Sequence, residues 1–216
     1  MEESSSSARS ESAPPSAPRW KGVQSLDLVR QLNLRSVELL CRLAESCDST
    51  LEAVALNREA WIGASRDTRH SLAMLPFVLV DARFMDVDWW RSVSAIGVHQ
   101  HGARSDPNGL PEDSSAELMQ ETLMFAWQTA RWDRLAAQFL LGMSFRVANI
   151  IAGLTPQQVR TIAERDPQAV RIRWGDDPMF WQDLLTAARM ADYQRLATLQ
   201  LTGKLRICSE LADIRD

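Results

Sequence analysis

The histidines are the first side chains to weigh as chemical groups. His99 and His101 form an HxH pattern in a loop, and His70 lies earlier in the chain. Zinc sites usually combine histidine with cysteine or carboxylate at short, fixed spacings, and no such spacing accompanies this pair. We also find no nucleophile elbow, phosphate-binding loop, HExxH motif or supported pair of catalytic carboxylates. The sequence therefore predicts neither a metal site, nor a cofactor, nor an enzyme.

Basic side chains near the C-terminus are the second group of candidates. They are Arg189, Arg195, Lys204 and Arg206. Such side chains could contact DNA phosphates or a base edge; the alternative is a solvated helix face that Asp192 and Glu210 neutralise. The net charge of the chain is -4, so no global field draws it to nucleic acid or to an anionic membrane. Any DNA binding would have to come from a local basic patch or from a basic partner, and tight phosphate binding needs several uncompensated cations.

Composition gives the expected compartment. The cysteines, Cys41, Cys47 and Cys208, form no CxxC motif, and Cys41 falls in an apolar helical run typical of a buried, reduced thiol. Residues 1–22 are rich in serine and proline, which predicts a disordered tail rather than a secretory signal. No apolar run approaches the roughly 18 residues of a membrane span. We expect a soluble cytoplasmic protein without membrane contact.

Helical periodicity and turn residues divide the rest of the chain. We predict a first helical module at 23–96, a linker at 97–114 and a second module at 115–216. Ser25 and Ser115 are the expected N-caps of the two long helices, the second of which should run through Leu141 to a C-cap at Gly142. Shorter helices should follow caps at Ser65, Ser144 and Thr155, since each of these residues precedes a helical pattern.

Each module also contains one extended segment, FVLVDARF at 77–84 and AVRIRW at 169–174. In the second segment, Arg171 and Arg173 alternate with apolar residues and should project from a polar face. They could pair with Asp176 or Asp177, or with the other module. We rate nucleic-acid contact by these arginines below ion pairing.

The two modules match at an offset of about ninety residues. The counterparts are Ser65 and Thr155, Ala73 and Ala163, Val80 and Val170, Arg83 and Arg173, Phe84 and Trp174, and Asp86 and Asp176, followed by a one-residue slip. Duplication explains this order, and a shared binary pattern is the alternative. A lone strand leaves backbone groups unpaired, so strands 78–84 and 169–174 should pair in an intramolecular pseudo-dimer. The expected interface residues are Val80, Phe84, Val170, Ile172 and Trp174.

Three short runs carry a family resemblance: FLLGMS at 139–144, AGLTPQQV at 152–159 and IRWGDD at 172–177. They resemble FlhD, the small subunit of the bacterial flagellar transcriptional regulator, closely over 115–207 and faintly over 26–93. The resemblance implies a mainly α fold of two tandem FlhD-like modules with one short strand each. It also implies a zinc-binding FlhC-like partner, promoter DNA bound together with that partner, and Arg189 as a DNA contact.

The chain departs from the family pattern in two respects. The family's intersubunit cysteine falls near Val170, and near Val80 in the first copy, so that crosslink is absent here. The family protein is a single module, whereas this chain carries two. A non-DNA-binding adaptor or antagonist of the same fold is therefore the alternative to a transcriptional regulator of flagellum biogenesis.

Overall fold

The computed structural model describes residues 22–46, 49–95, 110 and 112–213, and within them the chain is mainly helical. The predicted tail at 1–22 lies outside the described residues except for its last position, as does most of the predicted linker at 97–114. The first half of the chain consists of α1 Gly22–Glu45, α2 Glu52–Ala55, α3 Arg58–Ile62, α4 Arg66–Ala73, β1 Val80–Asp81 and α5 Val87–Ala95.

The second half repeats this order of helices, one strand and a further helix. Its elements are α6 Glu112–Trp132, α7 Arg134–Leu141, α8 Phe145–Gly153, α9 Pro156–Arg165, a 3-10 turn Pro167–Ala169, β2 Arg171–Ile172, α10 Pro178–Arg189 and α11 Tyr193–Asp213. Within the described part of the first half, α11 has no counterpart.

The predicted caps of the short helices are confirmed. The Ser65 and Ser144 hydroxyls accept hydrogen bonds from the third amide of α4 and of α8. Thr155 forms a full capping box with Gln158, and Pro156 occupies the first helical position. Gly142 ends α7 in the left-handed conformation, with φ 59°, which glycine adopts without the steric cost of a Cβ.

The prediction of one helix from Ser115 to Leu141 is wrong at its start and in its middle. The helix begins at Glu112, so Ser115 is a buried residue of its first turn. It then ends at Trp132, because the Asp133 side chain accepts the amides of Leu135 and Ala136 and caps a new helix. The cap at Ser25 is also wrong, since α1 already begins at Gly22.

The two extended segments pair as predicted, but the ladder is shorter than the sequence suggests. β1 and β2 are antiparallel, with Val80 opposite Ile172 and Asp81 opposite Arg171. The residues before β1 find another partner in Asn33 of α1, a buried side chain. The Asn33 Nδ2 group donates to the carbonyls of Leu75 and Phe77, and Asn33 Oδ1 accepts a hydrogen bond from the Leu79 N–H at 2.9 Å. A side chain thus satisfies backbone groups that a longer strand would otherwise pair.

Both halves contribute to one hydrophobic core. Helix α1 lies beside α6, α5 packs against α8, and α10 packs against α4, α2 and α3. Among the described residues, no single helix is long and apolar enough to cross a membrane. Helices α7 and α8 reach that length and apolar composition only when taken together, and they are bent by 118° relative to each other.

Candidate functional site

An ion pair joins the two strands at the junction of the halves. The Arg171 Nε donates to Asp81 Oδ2 at 3.0 Å, and the two residues lie directly opposite in the ladder. The Asp81 side chain is largely buried, at 11% exposure, and its other oxygen accepts the Phe84 amide. Of the predicted alternatives for Arg171, pairing with the other module is therefore confirmed.

Arg173 corrects the predicted alternation of the second segment. It is buried, at 5% exposure, and does not project from a polar face. Its guanidinium donates to the carbonyl oxygens of Val78 at 3.2 Å, Val80 at 3.4 Å and Leu141 at 2.7 Å. A turn directly after Ile172 replaces further strand, so alternation no longer decides where the side chain points. Arg173 thereby ties β1 and the end of α7 together.

The charge of Arg173 is balanced from two sides. Burial lowers the pKa of the guanidinium, whereas the negative charges of Asp81 and Glu210 oppose that shift. Glu210 of α11 lies 3.7 Å from Arg173 and also accepts the Trp174 indole N–H at 3.2 Å. A Cβ at Gly142 would lie 2.9 Å from Arg173 Nη1, so the glycine also makes room for this side chain.

The turn that follows each strand has the same geometry in both halves. Arg83 and Trp174 each adopt φ 53°. The carbonyl of Arg83 accepts the indole N–H of Trp90 at 3.0 Å, and the carbonyl of Trp174 accepts that of Trp181 at 3.0 Å. These counterparts are 91 residues apart, so the one-residue change from the offset of ninety already occurs before the turn. The predicted match of Arg83 with Arg173 is wrong in the structure, because Arg83 occupies the position of Trp174.

The same spacing relates two hydrogen bonds that cross between the halves. The Ala53 amide donates to the Gly175 carbonyl at 2.9 Å, and the Ser144 amide donates to the Phe84 carbonyl at 3.0 Å. Adding 91 to Ala53 gives Ser144, and subtracting 91 from Gly175 gives Phe84. Each half therefore donates to, and accepts from, the corresponding position of the other.

The residues expected at the interface gather around these contacts. Val80, Phe84, Val170 and Ile172 are buried, whereas Trp174 is half-buried. The Trp174 ring lies edge-on to Phe180 at 4.9 Å and to Phe77, from the other half, at 5.7 Å. Aromatic pairs at these distances add specific geometry to the burial of area.

Two of the basic side chains predicted to bind DNA form ion pairs with carboxylates of this chain. Arg195 pairs with Asp183 at 2.6 Å. Arg206 pairs with Asp177 at 2.8 Å and lies 4.8 Å from the Phe180 ring centre. The acids that neutralise this face are thus Asp177 and Asp183 rather than the expected Asp192 and Glu210, which accept the Arg195 amide and the Trp174 indole N–H.

The four basic residues do not form one cluster. Arg189 and Lys204 are exposed, and no described carboxylate pairs with either. Arg189 lies in the last turn of α10, whereas Asp177 holds Arg206 at its first turn, roughly 16 Å away at 1.5 Å per residue. Lys204 and Arg206 are two residues apart on α11 and so point about 200° apart around its axis.

The structure adds residues that the sequence analysis missed. Asp81 pairs with Arg171 and Asp183 pairs with Arg195. At Gly203, α11 packs tightly against the junction: a Cβ there would overlap the Phe77 ring and lie 3.2 Å from Trp174 Cη2. A glycine inside a helical pattern was the available signal, since it costs helix stability unless close packing requires it.

Other candidate chemistry is weak in the described residues. His70 is exposed at the end of α4, whereas His99 and His101 lie outside the described ranges, within which no group of three potential metal ligands occurs. Cys41 is buried and Cys208 exposed, and both are free thiols; burial raises the pKa of Cys41. A polar cleft between α1 and α6 has a volume of about 120 Å³, smaller than typical ligand pockets.

These features define a mainly helical protein whose two halves meet at a short strand pair. Residues 114–205, from the first turn of α6 into α11, match the family model described as flagellar transcriptional activator (FlhD). The second half of the chain is therefore FlhD-like, and the matched family is one of transcriptional activators. No curated protein and no solved structure gives a match.

Proposed function

We propose that this protein is a cytoplasmic regulator of transcription for flagellum biogenesis, acting as the FlhD-like subunit of a promoter-binding complex. The observation that carries this proposal is the family match over residues 114–205. That segment has the expected order of capped helices, one short strand and two final helices. It is not an enzyme in this proposal, and no cofactor takes part.

We further infer that the chain is a tandem fusion, with residues 23–96 and 115–216 forming the two FlhD-like modules and 97–114 the linker. Three observations support this inference: the repeated order of elements, the identical turns after β1 and β2, and the reciprocal hydrogen bonds between the halves. In this arrangement one chain with two modules replaces a dimer of subunits that have one module each.

DNA binding in this proposal requires an FlhC-like zinc-binding partner. Arg195 and Arg206 already carry ion pairs, and the net charge of the chain is -4. The remaining cations, Arg189 and Lys204, are too few for the strong phosphate term of DNA affinity. We assign Arg189 as the principal DNA contact of this chain, because the family resemblance implies a DNA contact there and the residue is exposed at the end of α10.

The test is a promoter-binding assay with the full chain, by fluorescence anisotropy on flagellar promoter fragments, with and without an FlhC-like subunit from the same organism. Binding should require the partner. Arg189→Ala should weaken binding by about tenfold, roughly 1–2 kcal/mol. Arg160→Ala, which removes another exposed arginine, on α9, is the matched control. Absence of promoter binding both with and without the partner contradicts the proposal.

A second candidate function is an adaptor or antagonist that binds the partner but not DNA. The ion pairs of Arg195 and Arg206 on α11 favour this function, because they leave little uncompensated positive charge on that helix. In that case the partner should still co-purify with the chain, and Arg189→Ala should change neither partner binding nor promoter occupancy. A reporter under a flagellar promoter separates the two, since an antagonist lowers its expression and an activator subunit raises it.

A further inference from the structure

The pair Asp81–Arg171 occupies a special position in the strand ladder. The strands match at an offset of ninety, as do the helix caps Ser65 and Thr155 before them, and the offset changes to 91 at the turns that follow. At the offset of ninety Asp81 and Arg171 are counterparts, and they also lie opposite each other. In two antiparallel strands related by a twofold axis, a residue that faces its own counterpart marks the point where the axis passes. The ladder of this chain therefore has an acid on one side of its centre and a base on the other.

A symmetric dimer could not have this arrangement. Two copies of β1 paired about the same centre would place Asp81 against Asp81, and two copies of β2 would place Arg171 against Arg171. Like charges directly opposite in a sheet are destabilising, and the burial of Asp81 makes an unpaired charge there more costly. Only unlike halves can place opposite charges at this position.

We propose that Asp81 and Arg171 form a charge-selective junction that pairs each half of the chain only with an unlike half. The edge of β1 fits the edge of β2, whereas β1 repels a second copy of β1 and β2 repels a second copy of β2. Exposed strand edges ordinarily invite pairing between chains, and the ion pair restricts that pairing to unlike strands. The inference rests on the tandem arrangement proposed above, but it concerns how the halves recognise each other and not whether they regulate transcription.

The test is a charge-swap cycle in the full-length chain, with thermal unfolding as the readout. Arg171→Asp and Asp81→Arg should each lower Tm by about 5 °C or more, and the double swap should regain at least half of the summed loss. Asp27→Arg is the matched control, because it breaks an exposed ion pair on α1 and should shift Tm by no more than about 2 °C. Strictly additive losses in the double variant overturn the proposal.

Asp81→Arg also removes the acceptor of the Phe84 amide, so this variant could fail to fold. Asp81→Asn keeps an oxygen at that position and removes the charge. In an Arg171→Asp background it should raise Tm, since the second carboxylate is no longer opposed by a charge. If Asp81→Asn instead lowers Tm further in that background, the charge-selective junction is contradicted.

Mixing distinguishes pairing within a chain from exchange between chains. The Arg171→Asp and Asp81→Arg chains are unfolded and refolded together, and a swapped heterodimer would restore the ion pair between them. We expect no mixed dimer by size-exclusion chromatography and no recovery of Tm, and a recovered mixed dimer overturns the within-chain assignment. None of these measurements uses DNA, so absence of promoter binding would leave their outcome unchanged.

Discussion

Replacing Arg173 by alanine should be among the most destabilising single changes in this protein. Its buried guanidinium donates to the carbonyls of Val78, Val80 and Leu141, and it balances Glu210 across the contact with α11. Alanine leaves those carbonyls without their donor in a site that water does not easily reach. The two halves and the last helix lose one shared anchor.

The size of the effect follows from these contacts. A buried hydrogen bond to a charged group contributes about 1.5–3 kcal/mol, and two of the three bonds are within 3.2 Å. Relief of the desolvated charge offsets part of the loss. We expect a net cost of about 3–5 kcal/mol, which lowers Tm by about 6–20 °C for a chain of this length.

Urea unfolding followed by circular dichroism measures the change in the free energy of unfolding, and thermal melts give Tm. Arg91→Ala is the control, because it removes an exposed arginine with an ion pair to Asp88 and should cost less than about 1 kcal/mol. Arg173→Lys should recover only part of the stability, since one ammonium cannot reproduce the planar fork of donors. A cost below about 1 kcal/mol for the alanine variant refutes the anchoring role.

Three other changes test the junction and the last helix. Gly203→Val should destabilise by about 1–3 kcal/mol in urea unfolding, because its side chain overlaps a buried ring; an unchanged midpoint contradicts the close contact. Val80→Cys with Ile172→Cys, in a Cys208→Ser background, should crosslink within one chain, so a dimer on a non-reducing gel is the contrary result. Hydrogen bonds, outweighing partial burial, hold the pKa of Asp177 below its usual range. Its stabilisation is thus complete above the unfolded pKa of about 3.9 and lost as pH falls through the folded value, so Asp177→Asn should flatten acid unfolding, and an unchanged acid slope speaks against it.

Local sequence signals located the capped helices of both halves well. Ser65, Ser144, Thr155 and Gly142 were predictable because a cap depends on one side chain and the amides within three residues of it. The break at Asp133 was equally local in cause, but apolar residues on both sides concealed it. Periodicity alone does not detect a one-residue interruption when the hydrophobic pattern resumes directly afterwards.

The partners of the extended segments depended on distant parts of the chain. Alternation placed Ile172 correctly toward the core, yet it placed Arg173 on the wrong side because a turn follows the strand at once. Asn33, more than forty residues before β1, supplies hydrogen bonds that shorten the ladder. Neither effect has a signal within the segment itself.

The sequence by itself determined the helical class, the caps of the short helices and the pairing of two lone strands, because each depends on local chemistry or on unpaired backbone groups. The tertiary structure alone decided which charges meet. Folding pairs Asp81 with Arg171 and Arg206 with Asp177, and it buries Arg173 among backbone carbonyls. The reason is geometric: ion pairs form between side chains a few ångströms apart, and folding brings residues some thirty to ninety positions apart to that distance.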